Sequence, residues 1–199
     1  MNTPEPSPQP PHIQPALPMR WLGALCRVHL IGAAHLPHDG TILAVRNSHL
    51  ALFRAIYSQI LTQRQGFLVL PDESDPQWQS AVGLLQSGRD ALLAVGASSE
   101  GEPPLLAGLR LARIAERPIL PVGIGAAPVI GPRRTGGQVH PLPGARVVVV
   151  LEAPFQVPQQ PAEIPTTWGA TILHLLQQAE GRAQDILATW RRQGKAPTP

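Results

Sequence analysis

The run Arg46-Asn47-Ser48-His49 sets a guanidinium, an amide, a hydroxyl and an imidazole side by side, groups able to hold an anion and move a proton. His49 directly precedes an apolar helical stretch, so its imidazole reads either as a structural histidine at a helix start or as a working base. A base of this kind is oriented by a carboxylate, and triad-like geometry needs no fixed sequence spacing. Asp72, Glu73, Asp75 and Glu100 are the acids that folding could bring to it. Arg46, Arg54, Arg133 and Arg134 read either as phosphate ligands or as plain surface charges. The small residues of Val95-Gly96-Ala97-Ser98-Ser99-Glu100-Gly101 could form a turn with open backbone N–H groups for a phosphate. Pro71-Asp72-Glu73-Ser74-Asp75, by contrast, is an acidic loop that would repel one. Ser48, Ser98 and Ser99 are candidate hydrolase nucleophiles, but no Gly-x-Ser-x-Gly elbow occurs. The other histidines carry no defensible pairing.

Short apolar runs alternating with helical stretches must position these residues. Val28–Ile31 and Thr41–Val45 read as strands around the turn Pro37-His38-Asp39-Gly40. Leu50–Leu61 has Leu50, Phe53, Ile56, Tyr57 and Ile60 at helical spacing. Phe67–Leu70 reads as a strand, Pro76–Gln86 as a helix stopped by Gly88, Ala91–Val95 as a strand and Leu105–Ala115 as a helix. Strands follow at Ile119–Ile124 and at Arg146–Leu151, the latter carrying four consecutive valines. β-Branched runs of this kind suit strands covered on both faces. A last helix, Trp168–Arg192, gathers Ile172, Leu175, Leu176, Ala179, Ala183, Ile186, Leu187 and Trp190 on one face. That face serves to pack on the domain or to lie on a membrane surface. The pattern predicts a single α/β domain with a central, mostly parallel sheet flanked by helices.

At 199 residues the chain suits one domain, expected over residues 19–192. Prolines at 4, 6, 8, 10, 11, 15 and 18 make 1–18 a disordered arm, and 193–199 reads as a flexible tail. The formal charge is only +3 and aromatics are 4%, which argues against a nucleic-acid binder. The one cysteine, Cys26, excludes an intramolecular disulfide and a cysteine-cluster metal site, and reads as a small buried hydrophobe rather than a reactive thiol. The opening residues lack the charged and apolar regions of a signal peptide, and no apolar window is long enough to span a bilayer. A cytoplasmic protein, or one peripheral at the inner face of the membrane, is expected.

The segment from Val28 to His49, with its Gly32, its Leu36-Pro37-x-x-Gly40 turn and an apolar strand leading to Asn47 and His49, resembles the opening of the phospholipid/glycerol acyltransferase family. Gly66-Phe67-Leu68-Val69-Leu70 resembles the strand before that family's second motif. Leu84 to Val95 is similar to the lead into its third, and Arg117-Pro118-Ile119-Leu120-Pro121-Val122 to its fourth. The likeness runs from about Val28 to Val157, and the pieces stand in the family's order.

The resemblance implies a glycerol-phosphate acyltransferase-like fold and transfer of a fatty acyl group, with no cofactor and no metal. The donor would be acyl-CoA or acyl-carrier protein, and the acceptor a lysophospholipid or glycerol phosphate. A membrane surface is a further partner. In such a site a histidine takes the proton of the acceptor hydroxyl as it attacks the thioester, and an acid five residues on orients the imidazole. By that resemblance His49 is the catalytic residue, with Asn47, Arg46, Arg54, Ser98, Ser99 and Pro121 lining the substrate. The sequence departs from the pattern. Five residues after His49 stands Arg54; matching the family asparagine to Asn47 puts Ser48 and Phe53 at the pair; the remaining register puts Arg46 and Ala51 there. The glutamate and arginine of the third motif and the arginine of the second are also replaced. The alternative is therefore a catalytically inactive relative that binds lipid, an acyl chain or a protein partner through the same cleft.

Overall fold

The computed structural model describes residues 26–60, 67–69, 78–96, 103–130, 137–161 and 163–194. The arm 1–18 and all but the first two residues of the 193–199 tail lie outside this set.

In chain order the elements are β1 (Arg27–Ile31), β2 (Ile42–Arg46), α1 (Leu50–Ile60), β3 (Phe67–Val69), α2 (Trp78–Gln86), β4 (Asp90–Val95), α3 (Pro103–Ala115), β5 (Ile119–Ile130), β6 (His140–Leu151) and α4 (Thr166–Gln193). The six strands form one sheet in the order β1-β6-β5-β2-β4-β3. All neighbours run parallel except β5 and β6. The expected α/β domain with a mostly parallel, helix-flanked sheet is what forms. Two strands are longer than the apolar pattern indicates. β5 continues past Ile124 through Gly125 and Pro128, and β6 begins at His140 before Pro141, Pro143 and Gly144. Proline and glycine read as turn signals, yet this antiparallel pair absorbs them by a register shift between Ala127 and Val129.

Side chains alternate across the sheet, so each strand serves two cores. Leu43, Val45, Leu120, Val122, Val147 and Val149 join Phe53 and Ile56 of α1 on one face. Ile42, Ala44, Leu93 and Ile119 meet α2, α3 and the start of α4 on the other. Val148 and Val150 meet Ala179, Ala183, Leu187 and Trp190 of α4. The long helix thus spends its apolar face on the sheet. Leu175 and Ile186 flank the buried stripe as half-buried residues. Cys26 is half-buried against the α1-side core, and burial pushes its thiol pKa up.

A buried polar knot ties three elements at the N-terminal end of the sheet. Tyr57 of α1 donates its hydroxyl to Asp90 Oδ2 at 2.6 Å, and the Thr41 backbone N–H donates to Asp90 Oδ1 at 3.0 Å. The Thr41 hydroxyl donates to the Pro118 carbonyl at 2.9 Å. Asp90 is 1% exposed, so removing its carboxylate takes a buried acceptor from both the Tyr57 hydroxyl and the Thr41 N–H. Asp90→Ala is expected to lower unfolding free energy by about 2 to 4 kcal/mol in denaturant titration.

Candidate active site

Period-two alternation in β2 places Arg46 on the same face as Ile42 and Ala44, toward α4, at the C-terminal edge of the sheet. This is the edge at which parallel α/β sheets bind ligands. The chain then turns through one 3₁₀ turn, Asn47–His49, into α1. The turn is pinned from the start of β6: the Val139 N–H donates to the Ser48 carbonyl at 2.7 Å, and Gln138 Oε1 accepts from the Ala51 N–H at 3.3 Å.

The carboxylate that meets this turn comes from α4. Glu180 Oε2 accepts from Arg46 Nε at 3.2 Å, and Oε1 lies 3.8 Å from His49 Nδ1. Arg46 also donates to the Gly96 carbonyl at 2.6 Å, beyond the end of β4. The side chains are 13%, 17% and 23% exposed for Arg46, His49 and Glu180, so the cluster is shielded without being sealed.

Two glycines let α4 come this close. A Cβ on Gly123 of β5 would sit 2.1 Å from the Ala179 carbonyl carbon and 2.4 Å from the Glu180 nitrogen. One on Gly125 would sit 2.8 Å from the Ala183 carbonyl oxygen. Bare glycine against alanines four apart on the helix brings backbone to backbone, and the next residue along, Glu180, falls over the end of β2.

Burial foremost, and then the positive Arg46, hold the His49 pKa below its ordinary 6.5. The imidazole is therefore neutral near pH 7. Burial raises the Glu180 pKa above 4.5, and the charge and hydrogen bond of Arg46 oppose that rise. The 3.8 Å gap exceeds hydrogen-bond length; the hydrogen bond that Glu180 accepts is from Arg46 instead. Ser48 Oγ also lies on the Nδ1 side, at 3.5 Å. A serine triad needs nucleophile and acid on opposite ring nitrogens; here both face Nδ1. Nε2 makes no hydrogen bond with any described residue.

The lowered His49 pKa has a consequence for stability. Below pH 6.5 the unfolded chain takes up a proton at this ring more readily than the folded one, so acidification weakens the fold through this group. The raised Glu180 pKa works in the opposite sense just above pH 4.5. Between pH 7 and 5.5 the His49→Gln protein is expected to lose less stability than wild type, by on the order of 1 kcal/mol or less in parallel urea titrations.

Of the residues singled out from sequence, His49 and Arg46 come together. Asn47 is exposed on the turn between them. Arg54 is half-buried on α1, with its Nε buried and unpartnered. Pro121 is buried in β5 opposite Ala44, two residues before Gly123, and its carbonyl accepts from the Glu152 N–H at 3.1 Å. Ser98, Ser99, Arg133 and Arg134 lie outside the described residues, as do Asp72, Glu73, Asp75 and Glu100. The residue that sequence reasoning missed is Glu180, whose local context is an ordinary polar helix position. The available signal was non-local: Gly123-x-Gly125 in a strand and Ala179-x-x-x-Ala183 in a helix, two small-residue pairs suited to close packing. Among the described residues, no group of three or more His, Cys, Asp or Glu could hold a metal ion, and no helix is long and apolar enough to cross a membrane.

No family model matches the sequence, and no curated protein matches it. Among solved structures, the 1-acyl-sn-glycerophosphate acyltransferase PlsC from Thermotoga maritima matches with a TM-score of 0.53, at 13% identity, over 83% of this chain and 78% of that one. At that identity the likeness is one of architecture: the chain has the α/β fold of that acyltransferase.

Proposed function

We propose that this protein transfers a fatty acyl group from acyl-CoA or acyl-carrier protein to the hydroxyl of a lysophospholipid or glycerol phosphate, with His49 as general base. The observation that carries this reading is the placement of His49: an imidazole held neutral by burial and Arg46 at the C-terminal edge of the sheet, its Nε2 hydrogen-bonded to no described residue. The fold shared with PlsC supports the same class of reaction. In the transfer step Nε2 takes the acceptor's hydroxyl proton as its oxygen attacks the thioester carbonyl. The C–S bond breaks when the tetrahedral intermediate collapses, and the proton passes to the departing thiolate. Asn47, Arg54, Ser98, Ser99 and Pro121 are proposed to line the substrate, whereas the contacts of Arg46 give it a structural task as well. Amphiphilic acceptors would bring the protein to the inner face of a membrane as a peripheral partner.

The test is a transfer assay on the full chain with acyl-CoA and acyl-carrier protein as donors, and glycerol 3-phosphate and lysophosphatidate as acceptors. Time-dependent ester formation matched by thiol release is the expected result; no turnover with any pair would overturn the reading. The second reading, a non-catalytic lipid-binding relative, is favoured by Arg54, which stands where the family resemblance expects an acid. It expects thermal stabilisation by acyl-CoA or lysophospholipid without turnover.

A further inference from the structure

We propose that Glu180 is the positioning carboxylate for His49, delivered from the C-terminal helix rather than from the turn that carries the histidine. This rests on the reading of His49 as the base. Three observations place it there. Oε1 faces His49 Nδ1 at 3.8 Å, the nitrogen opposite Nε2, to which no described residue is hydrogen-bonded. Oε2 is held by Arg46 Nε at 3.2 Å, and Arg46 is itself anchored on the Gly96 carbonyl at 2.6 Å, so the carboxylate is tethered on the side away from the ring. Gly123 clears the space that brings the Glu180 backbone over the end of β2. The position five residues after His49, occupied by Arg54, is thereby relieved of the task.

The chemistry follows from the geometry. With the proton of the neutral ring on Nδ1, Nε2 accepts the proton of the acceptor hydroxyl and the ring becomes an imidazolium. Its Nδ1–H then attracts Oε1, and closing the gap from 3.8 Å to about 2.8 Å makes a charge-assisted hydrogen bond. Catalytic hydrogen bonds that are long in the empty site and tighten as charge develops are an ordinary feature of enzymes. The carboxylate never takes the proton, which goes on to the thiolate leaving group. Arg46 restrains the acid and lowers the basicity of the ring, so it tunes both members of the pair.

Glu180→Gln is the decisive variant, because the amide oxygen can still accept from Arg46 and the helix keeps its seat. Its kcat is expected to fall about 10²- to 10³-fold with KM nearly unchanged. The acid limb of its rate profile and the NMR titration of the His49 ring should both move to lower pH than in wild type, because an anion beside the ring has gone. A Glu180 that only ties α4 to Arg46, its charge not facing the ring in solution, would move neither. A titration that shifts with kcat unchanged would leave it a neighbour of the ring with no positioning role. An active wild type, an inactive His49→Ala and an unchanged Glu180→Gln would overturn the role of Glu180 and leave the base intact. An inactive wild type would sink the transfer reading instead. The ring titration then still decides the pairing: a downward shift in Glu180→Gln supports it, and coincident curves refute it.

Discussion

His49→Ala is expected to lower acyl transfer by about 10³- to 10⁴-fold while leaving the protein folded. The first half follows from removing the group proposed to take the hydroxyl proton: an unassisted alcohol is a poor nucleophile, and no other described residue presents a neutral base at that place. The second half follows from the weak attachment of the ring. Its nearest partners are 3.5 Å and 3.8 Å away on Nδ1, and neither is a good hydrogen bond. Truncation therefore removes no good hydrogen bond, only the packing of a partly exposed ring. It also leaves Glu180 paired with Arg46 rather than stranded. Steady-state rates beside circular dichroism and a melting curve check both halves. A variant keeping more than a tenth of the wild-type rate would exclude His49 as the base, and a collapsed melting curve would show the ring to be structural.

Gly123→Val should have the largest effect on the fold and a second effect on the site. A β-carbon at that position meets backbone atoms of α4 at 2.1 to 2.4 Å, and backbone cannot step aside as a flexible side chain can. Overpacking of this kind costs about 3 kcal/mol, and more where a main chain must move. The helix can relieve the clash only by lifting off β5, which carries Glu180 away from Arg46 and His49. A displacement of about 1 Å at a catalytic group is enough for a loss on the order of 10²-fold in rate. The variant is thus expected to melt well below wild type and, where it remains folded, to show reduced kcat. Gly144→Val is the control: Gly144 has a positive φ of 78°, so valine there is strained, but a Cβ meets nothing within 4 Å and the site is untouched. Equal losses of kcat in both variants would refute the specific role of the Gly123 contact.

The sequence by itself determined the alternation of elements and most of their bounds, because burial on two faces leaves a direct mark in composition. The valines of β6 and the spacing of Phe53, Ile56 and Tyr57 in α1 can be read without a structure. It also marked the run Arg46 to His49 as the place where proton chemistry could occur. The full lengths of β5 and β6 could not be read, since Pro128, Pro141 and Gly144 resemble turn residues until an antiparallel partner with a register shift accommodates them. The acid could not be read either. A search confined to the residues after His49 meets Arg54, and Glu180 sits among the polar positions of a long helix with nothing local to distinguish it. Its meeting with His49 depends on the angle and height at which α4 crosses the sheet. Those are set by Gly123 and Gly125 against Ala179 and Ala183, a contact between distant segments that only close packing in three dimensions creates.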